Sequence, residues 1–255
     1  RARATLGHDA VSALMTTTKL SLQYPETIVD EFIQLGFTHI FLRPISPYGF
    51  AVKTKQKTGY NIAEFLAFYK RALSHIIELN RNGNTMVEVY AQLLLTKILT
   101  PFPTGYVDLQ SPAGAGISVV VYNYDGDVYA SDESRMLAEM GDKTFRLGNV
   151  NVNTYEEIFG GPLLRSLVAA SCVESLPGCA ECAFQTYCGA DPVENYATQG
   201  DIFGHRPTST FCGRNMGVIN HLLRLFHSDD PFIPRLFSSW VQGVPHGELV
   251  PALPE

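Results

Sequence analysis

Cys179, Cys182, Cys188 and Cys212 follow one another with the spacing C-x2-C-x5-C-x23-C. Four thiolates that can converge are what a tetrahedral all-cysteine metal site or an iron–sulfur cluster requires. Two cysteines separated by two residues wrap one edge of such a centre without strain. A third after five more residues needs only a short loop, and the distant Cys212 closes the cage from another segment. The fifth cysteine, Cys172 in Ala169-Ala170-Ser171-Cys172-Val173, reads as an inert buried thiol. Five cysteines in 255 residues do not make a disulfide scaffold, and this cluster in a reducing compartment reads as metal ligation. The alternative is a structural zinc site in a protein-interaction module without catalysis. Four-cysteine zinc sites commonly carry two C-x2-C pairs, and this sequence has one.

A second group of candidates depends on the elements that carry it. Arg1 to Gly7 reads as the last turn of a helix with a glycine cap, so the sequence is expected to continue a longer chain. Ala10 to Thr16 is a short apolar run suited to a buried strand. Pro25 to Gly36 is an amphipathic helix with proline and acid in its first turn, Ile28, Phe32 and Leu35 on one face, and glycine at its stop. Thr38 to Pro44 is again a buried strand. Strand, helix, strand with short connections predicts a right-handed βαβ unit with neighbouring parallel strands. Chemistry in such sheets gathers at the carboxyl ends of strands, which are Thr16 and Thr17 for the first and Arg43 with Ser46 for the second.

Helical periodicity continues from Tyr60 to Leu79 and from Met86 to Leu99. His75, beside the first apolar face, reads as packed or surface rather than catalytic. The Pro- and Gly-rich stretch from Pro101 to Pro112 is the expected seam between two units. Beyond it, Ile117 to Asn123 and Asp127 to Ser131 flank Tyr124-Asp125-Gly126, which predicts a tight hairpin. Asp125 and Asp127 are assigned to the turn rather than to catalysis. Thr154-Tyr155-Glu156-Glu157 is a capping box opening a helix that runs through Val168 to the cysteine loop. A last helix spans Arg214 to about His227 behind Cys212. The tail from 229, with Pro245, Pro251 and Pro254, reads as loosely ordered.

The composition is that of an ordinary globular chain, 45% hydrophobic and 17% charged. A net charge of −6 with no Lys/Arg stripe argues against a nucleic-acid partner, and Lys53, Lys55 and Lys57 read as a solvated loop. With no apolar run of membrane-spanning length and no signal peptide, no membrane partner is expected and the reading is cytoplasmic.

Taken together, these residues resemble a known family. The hairpin Tyr122-Asn123-Tyr124-Asp125-Gly126-Asp127-Val128-Tyr129, the following Leu147-Gly148-Asn149-Val150 and the C-x2-C-x5-C with a late cysteine are similar to the SPASM auxiliary-cluster domain of peptide-modifying radical SAM enzymes. The wording Phe41-Leu42-Arg43-Pro44-Ile45-Ser46-Pro47-Tyr48-Gly49-Phe50-Ala51 and Gly189-Ala190-Asp191-Pro192 most resembles the radical SAM maturase of the His-Xaa-Ser system. The resemblance covers about residues 1 to 225. It implies an α/β fold: the C-terminal remnant of a partial (β/α) radical SAM barrel over 1–105, a SPASM-like domain of β-hairpin, helices and cysteine loop over 106–228, and the tail over 229–255. It implies one auxiliary 4Fe-4S cluster on Cys179, Cys182, Cys188 and Cys212, and places Thr16, Thr17 and Arg43 near S-adenosylmethionine. A second 4Fe-4S cluster belongs to the full-length enzyme, whose partners are a precursor peptide, a partner maturase and an electron donor. The sequence departs from the family twice. The radical-generating C-x3-C-x2-C does not occur in it, so the chain reads as a C-terminal fragment, inactive alone. Where a second auxiliary cluster would take cysteines it has Gly114 or Gly116, Ser131 and Pro192.

Overall fold

The computed structural model describes residues 1–7 and 10–244 of a mixed α/β chain that is about half helical with small sheets. It divides into two compact units. One is built from Arg1–Ile45, Gln56–Phe102 and the chain from Gly217, the other from Ser46–Lys55 and Pro103–Met216.

The first unit forms around the helix Ile62–Arg81. Its start is fixed by a capping box: Asn61 accepts the Glu64 N–H at 2.9 Å while Glu64 accepts the Asn61 N–H at 2.8 Å, which satisfies two otherwise orphan donors. Phe65, Phe68, Tyr69, Ala72, Leu73, Ile76 and Ile77 recur at helical spacing and are all buried. Each of the Phe, Leu and Ile side chains contributes about 1.5–3 kcal/mol when fully buried. Against this helix lies Pro25–Gln34, with Pro25 at its first turn and Gly36 at φ +73° beyond its end. Its buried residues are Pro25 and Val29; Leu35, expected on the inner face, is exposed.

The strands differ from expectation. His39–Ile40 pairs in parallel with Val87–Glu88, so the helix between them, Ile62–Arg81, is the crossover. The sequence reading placed Met86 and Val87 in a helix, which begins only at Val89 and ends at Leu99. The run from Ala10 to Thr16 is not a strand. A ladder needs a bonded neighbour along its length; among the described residues a cross-chain backbone bond comes just past this run, where the Thr17 N–H donates to the Arg43 carbonyl at 2.8 Å. The expected loose tail is corrected as well: Phe232–Gln242 is a helix that buries Ile233, Leu236, Phe237 and Trp240 and contacts Val89–Leu99. Pro245, Pro251 and Pro254 lie outside the described residues.

In the second unit, Val121–Tyr122, Asp127–Tyr129 and Arg146–Asn149 form an antiparallel sheet in that order. Gly126, at φ +83°, takes the left-handed conformation the turn demands. The capping box at Thr154 and Glu157 is present, but its helix, Tyr155–Phe159, stops after five residues. Gly160, Gly161 and Pro162 interrupt it, and Pro162–Ser171 starts afresh with proline in its first turn. Asp132–Glu139 and Pro192–Gln199 complete the unit's helices of eight or more residues, with the first turns of Thr210–Phe226. The core joins Tyr48, Ala130, Leu137, Phe145, Leu167 and Val193.

Candidate functional site

The cysteine loop is shaped by turns and glycines. Cys182 N–H donates to the Cys179 carbonyl at 2.9 Å, and Gln185–Tyr187 is a single 3-10 turn that delivers Cys188. Gly189 is required by close approach, because a Cβ there would lie 2.1 Å from the Asp108 carbonyl oxygen. Cys212 stands in the first turn of Thr210–Phe226, where its N–H donates to Ser209 Oγ at 3.2 Å.

The four thiols share one electrostatic neighbourhood. Burial pushes the Cys212 thiol up, and Cys188, Cys179 and Cys182 add to the rise while Arg206 opposes it. Burial likewise pushes Cys179 up; Arg206 pulls against it, and Cys188 and Cys182 push with it. Two donors already address sulfur: Asn215 Nδ2 lies 3.5 Å from Cys188 Sγ, and the Phe184 N–H 3.4 Å from Cys182 Sγ. Cys172 faces elsewhere, with its thiol on the Val168 carbonyl at 3.3 Å.

Arg206 is the residue sequence reasoning missed. It is 8% exposed, its Nε has no hydrogen-bond partner, and it forms no ion pair among the described residues. One terminal nitrogen donates to the Phe203 carbonyl. Gly178, at φ +76°, leaves room for the side chain, since a Cβ there would meet Arg206 Cγ at 3.1 Å. A buried guanidinium without a carboxylate calls for another anion, and the charge of Arg206 acts on the Cys179 and Cys212 thiols, favouring their ionised form against burial. No sequence spacing announces this contact.

Among the described residues, no three His, Cys, Asp or Glu side chains close around a point as one metal ion would require. By donor chemistry the residues suit a thiolate-bound cluster, in which the four thiolates are shared among several irons and amide donors address the sulfurs.

At the strand ends of the first unit, the Thr17 N–H donates to the Arg43 carbonyl at 2.8 Å, and the three candidate side chains differ in burial. Thr16 and Arg43 are exposed, whereas Thr17 is fully buried with Oγ1 unpartnered among the described residues. Beneath them Glu88, also missed, is fully buried. It accepts the Leu42 N–H at 3.0 Å on one oxygen, and the Tyr69 hydroxyl and the Ala91 N–H at 2.6 Å on the other. Burial pushes its carboxyl up, against these hydrogen bonds. A lone acid inside Met86-Val87-Glu88-Val89-Tyr90 is the signal that could have found it. His75 makes a structural contact: its Nε2 sits 2.7 Å from Asp30 Oδ1 as a partly exposed pair. No helix among the described residues is long and apolar enough to cross a membrane.

No family model matches the sequence, and no curated protein matches it. Solved structures do. The chain is similar to a histidine-tagged form of anSMEcpe with bound AdoMet, an anaerobic sulfatase-maturating radical SAM enzyme of SPASM type, at TM-score 0.63 and 16% identity over 92% of this chain. Native anSMEcpe with bound AdoMet and Kp18Cys peptide gives 0.61 at 17% over 90%, and the form with Cp18Cys peptide 0.62 at 17% over 90%. The match spans 57% of each of those chains. At such identity the likeness is one of fold.

Proposed function

We propose that this chain is the C-terminal portion of a radical SAM enzyme that modifies a ribosomally made precursor peptide, with one auxiliary 4Fe-4S cluster on Cys179, Cys182, Cys188 and Cys212. The observation that carries the reading is a coincidence of fold and chemistry. A chain with the fold of a SAM-binding, peptide-binding enzyme gathers four thiols in one neighbourhood around a buried, carboxylate-free Arg206. Residues 1–105 are assigned to the partial barrel and 106–228 to the SPASM-like domain. The wording of 41–51 and 189–192 favours the His-Xaa-Ser system, with a partner maturase and an electron donor in the cytoplasm.

With its four protein thiolates filled, the cluster supplies a one-electron relay or a cross-link rather than an open site for substrate. The chain's own residues do the rest. Asn215 and the Phe184 amide donate to sulfur, and Arg206 offsets the negative charge that thiolates bring into a half-buried loop. Thr16, Thr17 and Arg43 are assigned to the S-adenosylmethionine side of the barrel mouth.

Five cysteines, none in C-x3-C-x2-C, leave this chain without the three thiolates that start the radical reaction. Incubated anaerobically with S-adenosylmethionine and a strong reductant, it is expected to form no 5′-deoxyadenosine. The coding DNA upstream of Arg1 is expected to encode C-x3-C-x2-C in the same frame. A stop codon followed by a start site just before Arg1 would sink the enzyme reading.

A further inference from the structure

Asn215 is fully buried, a polar side chain for which the cysteine spacing gives no reason. It follows Cys212 by three residues on the helix Thr210–Phe226, a spacing that puts both on one helix face. Its partner comes from the cysteine loop, where Asn215 Nδ2 lies 3.5 Å from Cys188 Sγ. One amide therefore ties the helix that carries the late cysteine to the segment that carries the third. An amide has two ends, and only its NH2 end donates. Arg214 decides which end meets sulfur: its Nε donates to Asn215 Oδ1 at 3.4 Å, which leaves Nδ2 for Cys188. The guanidinium is itself held over the buried Phe211 ring, 5.0 Å from its centroid. Phe211, Cys212, Arg214 and Asn215 thus form one unit at the start of a single helix. Cys182 receives a donor of another kind, the Phe184 backbone N–H at 3.4 Å, which no side-chain substitution removes.

We propose that the Arg214–Asn215 pair raises the reduction potential of the cluster through the Cys188 thiolate, with Asn215 as the donor and Arg214 as its positioning residue. The inference rests on the cluster reading of Cys179, Cys182, Cys188 and Cys212, and adds to it the side chains that set its electron affinity. An N–H aimed at a ligand sulfur draws negative charge off it, which favours the more negative, reduced state of what the sulfur holds. Burial of the amide keeps water from screening that effect. The step concerned is the uptake of one electron from the electron donor, with no bond formed or broken in the protein.

The test is a redox titration of the anaerobically reconstituted whole chain, followed by the electron paramagnetic resonance signal of the reduced state. Asn215→Leu nearly keeps the shape and removes the donor. It is expected to hold its iron and, poised at the wild-type midpoint, to show a reduced-to-oxidised ratio about tenfold lower, a shift of about 59 mV to the negative for one electron. Arg214→Gln is expected to lower that ratio about threefold in the wild-type chain and by less in the Asn215→Leu background, because a positioning residue loses its effect with the group it positions. Should Asn215→Leu fail to fold or to take up iron, Arg214→Gln alone is expected to show its threefold drop. Arg214→Lys, which keeps the charge but not the planar fork, is then expected to show a smaller drop of the same sign. An unchanged midpoint in an iron-loaded Asn215→Leu chain overturns the inference and leaves the cluster reading standing. An equal effect of Arg214→Gln in both backgrounds, or no effect of Arg214→Lys, overturns the pair as a unit. A wild-type chain that takes up no iron sinks the cluster reading, and this inference with it.

Discussion

Asp127 and Arg206 are both buried charges of the second unit, and they are satisfied in opposite ways. Asp127, with a side chain 6% exposed, is met by Arg146 Nε at 2.6 Å, Lys143 Nζ at 2.8 Å and Asn149 Nδ2 at 2.9 Å. Burial alone would raise its carboxyl; these donors outweigh burial and hold it well below the usual carboxylate range. Arg206 has no such complement among the described residues, and its charge acts instead on the thiols of Cys179 and Cys212. The charge in the hairpin is therefore met by the chain's own side chains, whereas the arginine beside the cysteine loop has no carboxylate partner among the described residues. Asp127, assigned to the turn from the sequence, is held there by three donors, whereas Arg206, which the sequence does not single out, is buried beside the cysteines without a carboxylate among the described residues.

The largest effect expected to sharpen this contrast is on the cysteines. Cys179→Ala, Cys182→Ala, Cys188→Ala and Cys212→Ala should each lose most bound iron and expose 177–212 to protease, because ligation on the scale of about 10–16 kcal/mol for structural zinc holds comparable loops. Cys172→Ala should do neither. Equal iron loss in the Cys172 variant would mean the ligand set is wrong. Next comes Asp127→Asn. It should cost about 1–2 kcal/mol, at the low end for lost charge-assisted bonds because Lys143 and Arg146 are 56% and 41% exposed, and it should leave iron unchanged. Since the folded-state pKa of Asp127 is depressed, its contribution is present above the ordinary carboxylate pKa and lost as pH falls through the depressed value. Acid unfolding of wild type and Asp127→Asn should accordingly converge at the lowest pH. An iron deficit in Asp127→Asn would break the contrast. The smallest effect belongs to Thr17→Val. A buried hydroxyl without a partner gives nothing up to an isosteric methyl, so the unfolding midpoint should move by less than about 0.5 kcal/mol. A larger loss would reveal a partner for that hydroxyl.

Local chemistry was legible in the sequence, and long-range pairing was not. The turn at Asp125-Gly126, the proline start of Pro25–Gln34 and the capping box at Thr154 follow from neighbours a few residues apart. The stop at Gly160-Gly161-Pro162 was written just as locally, yet the apolar spacing across it outweighed the breaker in the reading. Val87–Glu88 fits a helix as well as a strand because two buried residues suit either period, and the partner strand at His39–Ile40 decides between them. Phe232–Gln242 was lost in a proline-rich tail, although Trp240, Phe237 and Ile233 keep helical spacing. The cysteine spacing was readable, whereas Arg206 and Glu88 matter only through residues distant in sequence.

The central claim is that four cysteines hold an iron–sulfur cluster, and metal with acid-labile sulfide measured on the anaerobically purified chain tests it most directly. The account predicts about four iron and about four sulfide per chain, in the wild type and in Cys172→Ala alike. One zinc with no sulfide, or neither metal nor sulfide after anaerobic reconstitution, would contradict it.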